Sequence, residues 1–386
     1  MKILDLSVSV KMDIFNAEHI HTFSLANKLA LLGHKITLII KGKEIKVIRK
    51  HNLEIYISKF DFSKQKEAYF IRIFSSIAKS FRLLLLILRN LDIKSYNVIY
   101  ERYYPGILHG LILSRLFSKP LFYEVNGIPD EEMFVDLNLD HKFVRSIVTF
   151  LCRFQLKRST GVIVQTPELK NILKRKFGIN NVYIVENGVD NKKINSTNTK
   201  SNILTLNYTG AFDKSHNPDV VFKSINTIKK KFRFYIIGTG EYLKKYMKKY
   251  RNDKRFIFVQ EVPHNKALYY ILNSDICIGS YDPKYSLFKK YGYYFCSLKL
   301  LEYAAASKPS IIYSLSNTFL KKYENANACL VANSRKDFIN KLVKLMNNKE
   351  LREIMGINAK KMAIKYSWEN AAKKTEGILK QRNSKM

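Results

Sequence analysis

The chain alternates short apolar runs with helix-patterned segments, and it does so twice. Ile3-Leu4-Asp5-Leu6-Ser7-Val8 reads as a short buried strand. Ala17 to Leu32 carries apolar residues at helical spacing and stops at Gly33, and Ile36 to Ile40 reads as the next strand. Strand, helix, strand is a βαβ unit, which predicts a parallel sheet. Strands continue at Glu54–Phe60, Asn97–Tyr100, Pro120–Val125, Gly161–Thr166 and Val182–Val185, separated by helices at Phe70–Arg89, Gly106–Phe117, Phe143–Arg158 and one capped at Thr166 that runs to Phe177. Asp130, Glu131 and Glu132 read as an acidic loop, and Glu186–Asp190 as a turn. Residues 191–202 are polar and rich in lysine and asparagine, the composition of a linker. The alternation then restarts with strands at Ile203–Thr209, Phe234–Ile237, Phe256–Val259 and Asp275–Gly279. The expected class is α/β, with two doubly wound Rossmann-like domains over residues 1–190 and 203–367.

Composition narrows the partners. The 386 residues carry a net charge of +35, from 67 basic and 32 acidic side chains. Such an excess draws a protein to nucleic acid or to an anionic membrane surface. No RNA-binding aromatic motif or helix-turn-helix signature appears, so nucleic acid is not expected. The basic, apolar helices Phe70–Arg89 and Phe143–Arg158 fit either a core helix or one lying in a membrane interface. Cys152, Cys277, Cys296 and Cys329 are far apart and lack metal-ligand spacing, so neither zinc nor a disulfide framework is expected. The longest apolar run, Leu83–Leu88, is too short to span a bilayer. These features point to a cytoplasmic protein, soluble or peripheral at the inner face of the cell membrane.

The segment Cys296-Ser297-Leu298-Lys299-Leu300-Leu301-Glu302-Tyr303-Ala304-Ala305-Ala306-Ser307-Lys308-Pro309 reads as a helix capped by Ser297 and stopped before Pro309. Lys299 and Glu302 share one face near its start. A helix N-terminus favours an anion such as phosphate, the lysine adds charge, and the carboxylate can accept hydrogen bonds from sugar hydroxyls. A solvated Lys–Glu pair on an amphipathic helix is the plainer reading, and this stretch alone leaves both open. In open α/β sheets ligands lie beyond the carboxyl ends of strands. That places Asn16 and His19, with Glu18 and His21, in one candidate loop, Glu101 and Arg102 at a second strand end, and Asn126 at a third.

Several segments together resemble the GT-B glycosyltransferases, specifically the retaining enzymes of family 4. They are Leu32-Gly33-His34-Lys35-Ile36-Thr37, Tyr123-Glu124-Val125-Asn126-Gly127, Val185-Glu186-Asn187-Gly188-Val189-Asp190, Tyr208-Thr209-Gly210-Ala211-Phe212, Ile237-Gly238-Thr239-Gly240, the Leu298–Pro309 stretch and Tyr366-Ser367-Trp368-Glu369. The resemblance implies an acceptor domain followed by a nucleotide-sugar domain, facing a central cleft. It also implies a last helix, 368–386, that packs back on the first domain. It implies a sugar-nucleotide donor as substrate, no cofactor, and no metal, because the helix end and basic side chains hold the diphosphate. Glu302 would bind the donor ribose, Lys299 the phosphates, and Ser297 and Leu298 would offer backbone amides. Gly210, Lys214, His216, Gly240, Glu261 and Val262 complete the donor-side candidates, and Asn16, His19, Glu101 and Arg102 the acceptor-side ones. Asn126 stands where many relatives carry a histidine against the transferred sugar and joins Lys299 and Glu302 as a catalytic candidate.

The chain also departs from that pattern. Tyr294 occupies the place of the first glutamate of the family's pair. The glycine-rich loop expected between Val10 and Ala17 is absent, with Phe15 and Asn16 near the glycine positions. Ala211 and Asn217 replace an arginine and a lysine, leaving Lys214 and His216 as substitutes in charge. The expected activity is transfer of a sugar to a glycan or lipid-linked acceptor in surface-polysaccharide synthesis. The alternatives are a nucleotide-sugar epimerase of the same fold, or a catalytically degenerate partner protein.

Overall fold

The computed structural model describes residues 1–14, 16–58, 69–138, 141–191, 203–260 and 262–383. It divides into two compact units, Met1–Glu186 with Trp368–Met386, and Asn187–Ser367. Each is built on its own sheet, parallel throughout in the second unit and parallel but for one edge strand in the first.

The first unit runs β1 (Lys2–Lys11), α1 (Ala17–Leu31), β2 (Lys35–Lys41), β3 (Lys46–Lys50), β4 (Leu53–Ser58), α2 (Tyr69–Asn90), β5 (Val98–Arg102), α3 (His109–Leu116), β6 (Leu121–Glu124), α4 (Pro129–Asp136), α5 (Lys142–Lys157), β7 (Gly161–Val164), α6 (Pro167–Phe177) and β8 (Val182–Ile184). Its eight strands lie in the order β3-β4-β2-β1-β5-β6-β7-β8. Leu4, Leu6, Val10, Leu38 and Ile40 of the inner strands are fully buried, as expected where helices cover both faces. From β1 the chain steps to β2 through α1, and from β4 onward it steps the other way through α2, α3, α5 and α6. Right-handed crossovers therefore put α1 on one face and those four helices on the other.

Two elements of this unit differ from expectation. The strand β3 pairs antiparallel with β4 along the sheet edge. Its Lys-Val-Ile-Arg-Lys sequence has three charges in five residues, which hides the strand pattern. The expected acidic loop is the helix α4, with Pro129 at its start and Asp130, Glu131 and Glu132 in its first turn, where carboxylates complement the helix dipole.

The second unit runs β9 (Leu204–Ala211), α7 (Asp219–Asn226), β10 (Phe232–Thr239), α8 (Glu241–Lys249), β11 (Phe256–Val259), α9 (His264–Leu272), β12 (Ile276–Ser280), α10 (Ser286–Tyr291), α11 (Leu298–Ala305), β13 (Ser310–Tyr313), α12 (Thr318–Asn325), β14 (Cys329–Ala332), α13 (Arg335–Asn347) and α14 (Lys349–Lys365). The strand order is β11-β10-β9-β12-β13-β14, all parallel, the doubly wound arrangement. Its core is aromatic: Phe222 stacks on Tyr246 at 4.4 Å, and Tyr250 on Phe256 at 4.4 Å. The short helix α10 lies in the tyrosine-rich stretch between β12 and α11.

Residues 187–191 fold with the second unit. The Asn187 amide donates to the Cys296 carbonyl, Val189 pairs with Ser367, and the Asn191 amide donates to Ala363. The rest of the proposed linker, 192–202, lies outside the described residues, as do Phe15 and the end of the expected strand at Phe60. The last helix, α15 (Trp368–Asn383), packs on α1 in the first unit, with Lys28 Nζ 2.5 Å from Glu369 and His34 Nε2 3.0 Å from Glu376. Among the described residues no helix is long and apolar enough to cross a membrane.

Candidate active site

In the second sheet β9 and β12 are neighbours, and the chain leaves them in opposite directions. A crevice opens at such a switch point beyond the strands' carboxyl ends. Lys299 of α11 fills it. A Cβ on Gly279 of β12 would lie 2.6 Å from the Ile312 Cδ1 and 3.3 Å from the Lys299 Cδ, and one on Gly210 of β9 would lie 3.1 Å from the Lys299 Nζ. Two glycines therefore make room for one side chain. Gly210 also holds φ at +141°, a conformation that L side chains rarely adopt. The ammonium sits 4.9 Å from the ring centres of both Tyr208 and Tyr281. It is buried, and among the described residues no atom accepts a hydrogen bond from it. Burial pushes its pKa down to about 8, against the pull of Asp213 and Glu302.

The start of α11 is built around the same point. Ser297 caps the helix by accepting from the Leu300 amide at 3.2 Å, and shares a 2.6 Å hydrogen bond with the Tyr281 hydroxyl. The amides of Leu298 and Lys299 belong to the first turn, which has no intrahelical acceptors. One turn on, Glu302 is 2.6 Å from His264 Nε2, at the start of α9. Val262 is half-buried two residues before that histidine, while Glu261 lies outside the described residues.

On the β9 side, Asp213 accepts from the Ser215 hydroxyl at 2.8 Å and from His216 Nδ1 at 2.9 Å. Burial would raise the Asp213 pKa, but His216 and Ser215 hold it below the usual carboxylate range. Burial and then Lys299 depress the His216 pKa, against the pull of Asp213. Lys214 is exposed. Gly240 follows β10, where a Cβ would collide with the Phe212 carbonyl at 2.4 Å.

The first unit has a polar cluster at the corresponding end of its sheet, centred on Glu124. This carboxylate is 2.9 Å from His21 Nε2 and 3.0 Å from Arg102 Nη1, and accepts the Tyr100 hydroxyl at 2.6 Å. It also accepts the Asn126 amide, whose oxygen accepts from Gln165 at 2.6 Å. Burial would raise the Glu124 pKa, but His21 and Arg102 outweigh it and hold the group well below its ordinary value. A small cavity borders the cluster, lined by His21, Asn126, Gln165 and Trp368 among others. Asn16 caps α1 by accepting from the His19 amide at 3.0 Å, and the His19 ring lies 3.0 Å from the Lys11 carbonyl.

Comparisons with known proteins decide the family. Residues 19–193 match the glycosyltransferase family 4 profile, and residues 189–362 match glycosyl transferases group 1. The chain belongs to the GT-B glycosyltransferases of family 4, group 1. An uncharacterised glycosyltransferase of Methanocaldococcus jannaschii is 25% identical over 228 residues, 57% of this chain; the chain covers 59% of that relative's length. Among solved structures, sucrose-phosphate synthase of Thermosynechococcus elongatus superposes with a TM-score of 0.80 over 100% of both chains at 13% identity. HepE of Anabaena in complex with UDP-glucose superposes at 0.69, again over 100% of both chains, at 11% identity. At these identities the likeness shows the fold.

In this glycosyltransferase the sequence candidates fall into separate groups. Lys299, Glu302, Ser297, Leu298, Gly210 and His216 gather around the second unit's crevice, while Val262 is placed only by its position two residues before His264. Asn126 and Arg102 meet at Glu124. Glu101 is a correction: it does not join them. Adjacent strand residues point to opposite faces, so Arg102 turns to Glu124 while Glu101 turns inward, 3.3 Å from His109. Glu101 is 1% exposed, and burial with the Asp5 charge raises its pKa well above the ordinary value. Tyr294 is fully buried, its ring 4.6 Å from Phe295 and 5.7 Å from Phe288. Sequence reasoning missed His264, Asp213, Tyr281 and Gly279. Of these, only Gly279, a glycine at a strand end, left a signal.

Proposed function

We propose that this glycosyltransferase moves a hexosyl group from a nucleotide sugar to a glycan or lipid-linked acceptor in surface-polysaccharide synthesis, with retention of anomeric configuration. The observation that carries the reading is Lys299, a buried ammonium without an acceptor among the described residues, beside the first-turn amides of a capped helix. That arrangement suits a diphosphate, and Glu302, one turn away, suits the ribose hydroxyls. When the bond between the sugar C1 and the diphosphate oxygen breaks, the electron pair goes to the diphosphate, the acceptor hydroxyl oxygen forms the new bond to C1 on the same face, and its proton passes to the departing diphosphate. Lys299 and the Leu298 and Lys299 amides stabilise the charge that develops there. Because these groups neutralise the leaving group, transfer proceeds without a divalent metal. The Glu124, Asn126 and Arg102 cluster of the first unit, with Asn16 and His19 on α1, offers donors and acceptors to a sugar hydroxyl.

The test is a product assay in EDTA with a panel of sugar nucleotides and lipid-linked or free glycan acceptors, the anomeric configuration being read by NMR. An acceptor-dependent product with the donor's configuration is expected. A rearranged sugar nucleotide formed without acceptor would establish the epimerase instead, and inversion would overturn the retaining assignment.

A further inference from the structure

The helices α2, α3 and α5 cover one face of the first sheet, the face opposite α1. Ser80 of α2 lies 3.2 Å from His109 of α3, and Gln155 of α5 donates to the Ile107 carbonyl just before α3, so the three helices form a continuous layer. Between them they contain nine Lys and Arg residues and no Asp or Glu. Their solvent side also presents large apolar residues: Phe81, Leu85 and Leu88 at one helical stripe of α2, Leu116 of α3, and Phe143 and Phe150 of α5. Phe143 and Phe150 are 65% and 64% exposed, two turns apart on one line. Single exposed apolar residues are ordinary, but a basic layer without acids that also turns out aromatic rings is not.

Beside Phe150 a groove of about 390 Å³ runs between α4, α5 and α6, lined by Arg145, Ser146, Thr149, Arg153 and Lys176. The acids at its floor are taken up within the protein. Lys176 bridges Asp130 and Glu131 at 3.1 and 2.9 Å, Arg145 reaches Glu131 at 3.3 Å, and Thr149 donates to Asp130 at 2.7 Å. Arg153 is exposed and makes no ion pair among the described residues.

We propose that this face docks on an anionic phospholipid surface, with Phe143 and Phe150 entering the boundary between headgroups and acyl chains and Arg153 meeting a lipid phosphate at the groove. The charge argues for this occupant. A second copy would set like charge against like, whereas anionic lipid complements both the basic residues and the rings. The inference does not rest on the donor site, which lies in the other unit, so each can fail alone.

The test is flotation of the full-length protein with phosphatidylcholine vesicles, with or without phosphatidylglycerol. The wild type is expected to bind only the anionic vesicles and to be released by roughly 0.5 M salt. Phe143→Ser with Phe150→Ser, and separately Arg153→Glu, should each weaken binding about tenfold or more. All three side chains are exposed, and unchanged thermal unfolding checks the fold. Equal binding to neutral vesicles, or undiminished binding by both variants, overturns the proposal. So does release by millimolar inorganic phosphate, which would mark a site for free phosphate. A dimer-to-monomer change in the phenylalanine variant without vesicle binding would assign the face to a second copy.

Discussion

Replacing Lys299 with methionine should make this enzyme more stable and unable to bind its donor. The ammonium is buried without an acceptor among the described residues, and its pKa falls from 10.5 to about 8. That difference corresponds to roughly 3 kcal/mol set against the charged form in the folded state. Methionine keeps the stem's packing past Gly279 and removes the charge. It forfeits the attraction of the Tyr208 and Tyr281 rings, worth about 1 kcal/mol or somewhat more. A net gain of about 1–2 kcal/mol follows at pH 7, a rise of roughly 2–8 °C in the melting temperature of a unit of this size. The pH dependence has a definite sign. Below pH 8 the lysine is charged in both the folded and unfolded chain, and the full penalty applies. Between 8 and 10.5 the unfolded chain binds more protons, so wild-type stability rises with pH relative to the variant. Above 10.5 the penalty is gone. Calorimetry of both proteins from pH 7 to 10.5 checks this. A less stable variant at pH 7, or a stability gap independent of pH, would refute the reasoning.

Four further outcomes are expected. Donor affinity should be constant below about pH 8 and then fall by up to tenfold per pH unit, because the proposed contact to the diphosphate needs the protonated lysine; titration calorimetry across that range reads it. Glu302→Ala should weaken donor binding about 10- to 100-fold through lost charge-assisted hydrogen bonds to ribose, measured by the same titration. Gly210→Ala should cost about 1–3 kcal/mol in a denaturant titration, since φ is +141° and the new methyl presses on Lys299. Glu101→Gln should leave activity unchanged and alter stability by less than about 1 kcal/mol. Burial holds its carboxyl pKa well above the ordinary value and so disfavours the charge that glutamine would remove, whereas Glu124→Gln, which takes the 3.0 Å ion-pair partner from half-buried Arg102 and leaves it Glu18 at 3.6 Å, should cost about 1–3 kcal/mol.

The two-sheet plan was legible because hydrophobic runs, glycines and prolines mark strand and helix ends locally. Ser297 announced α11 because capping is a matter of a few residues, and Ser297 does accept the Leu300 amide. The state of the Lys299 and Glu302 pair was not legible. From sequence they share a helix face, yet the fold sends the lysine over Gly210 and Gly279 and the glutamate to His264. Those partners are brought in by β9, β12 and α9, and no local pattern ties them to α11. Glu101 and Arg102 show the complementary failure. Their types suggested one polar site, but the strand's two-residue period sends them to opposite sides of the sheet. Likewise Asp130 to Glu132 looked like a loop because the acids that complete a helix's first turn are also loop residues.

The central claim is that the crevice around Lys299 and Glu302 holds a nucleoside diphosphate sugar without metal. Its most direct test is a thermal-shift screen of the wild type, Lys299→Met and Glu302→Ala against nucleoside diphosphates and their sugars in EDTA. At least one sugar nucleotide should raise the wild-type melting temperature, with the shift abolished in Lys299→Met and reduced in Glu302→Ala. No shift by any donor, or an equal shift in all three proteins, would contradict the account.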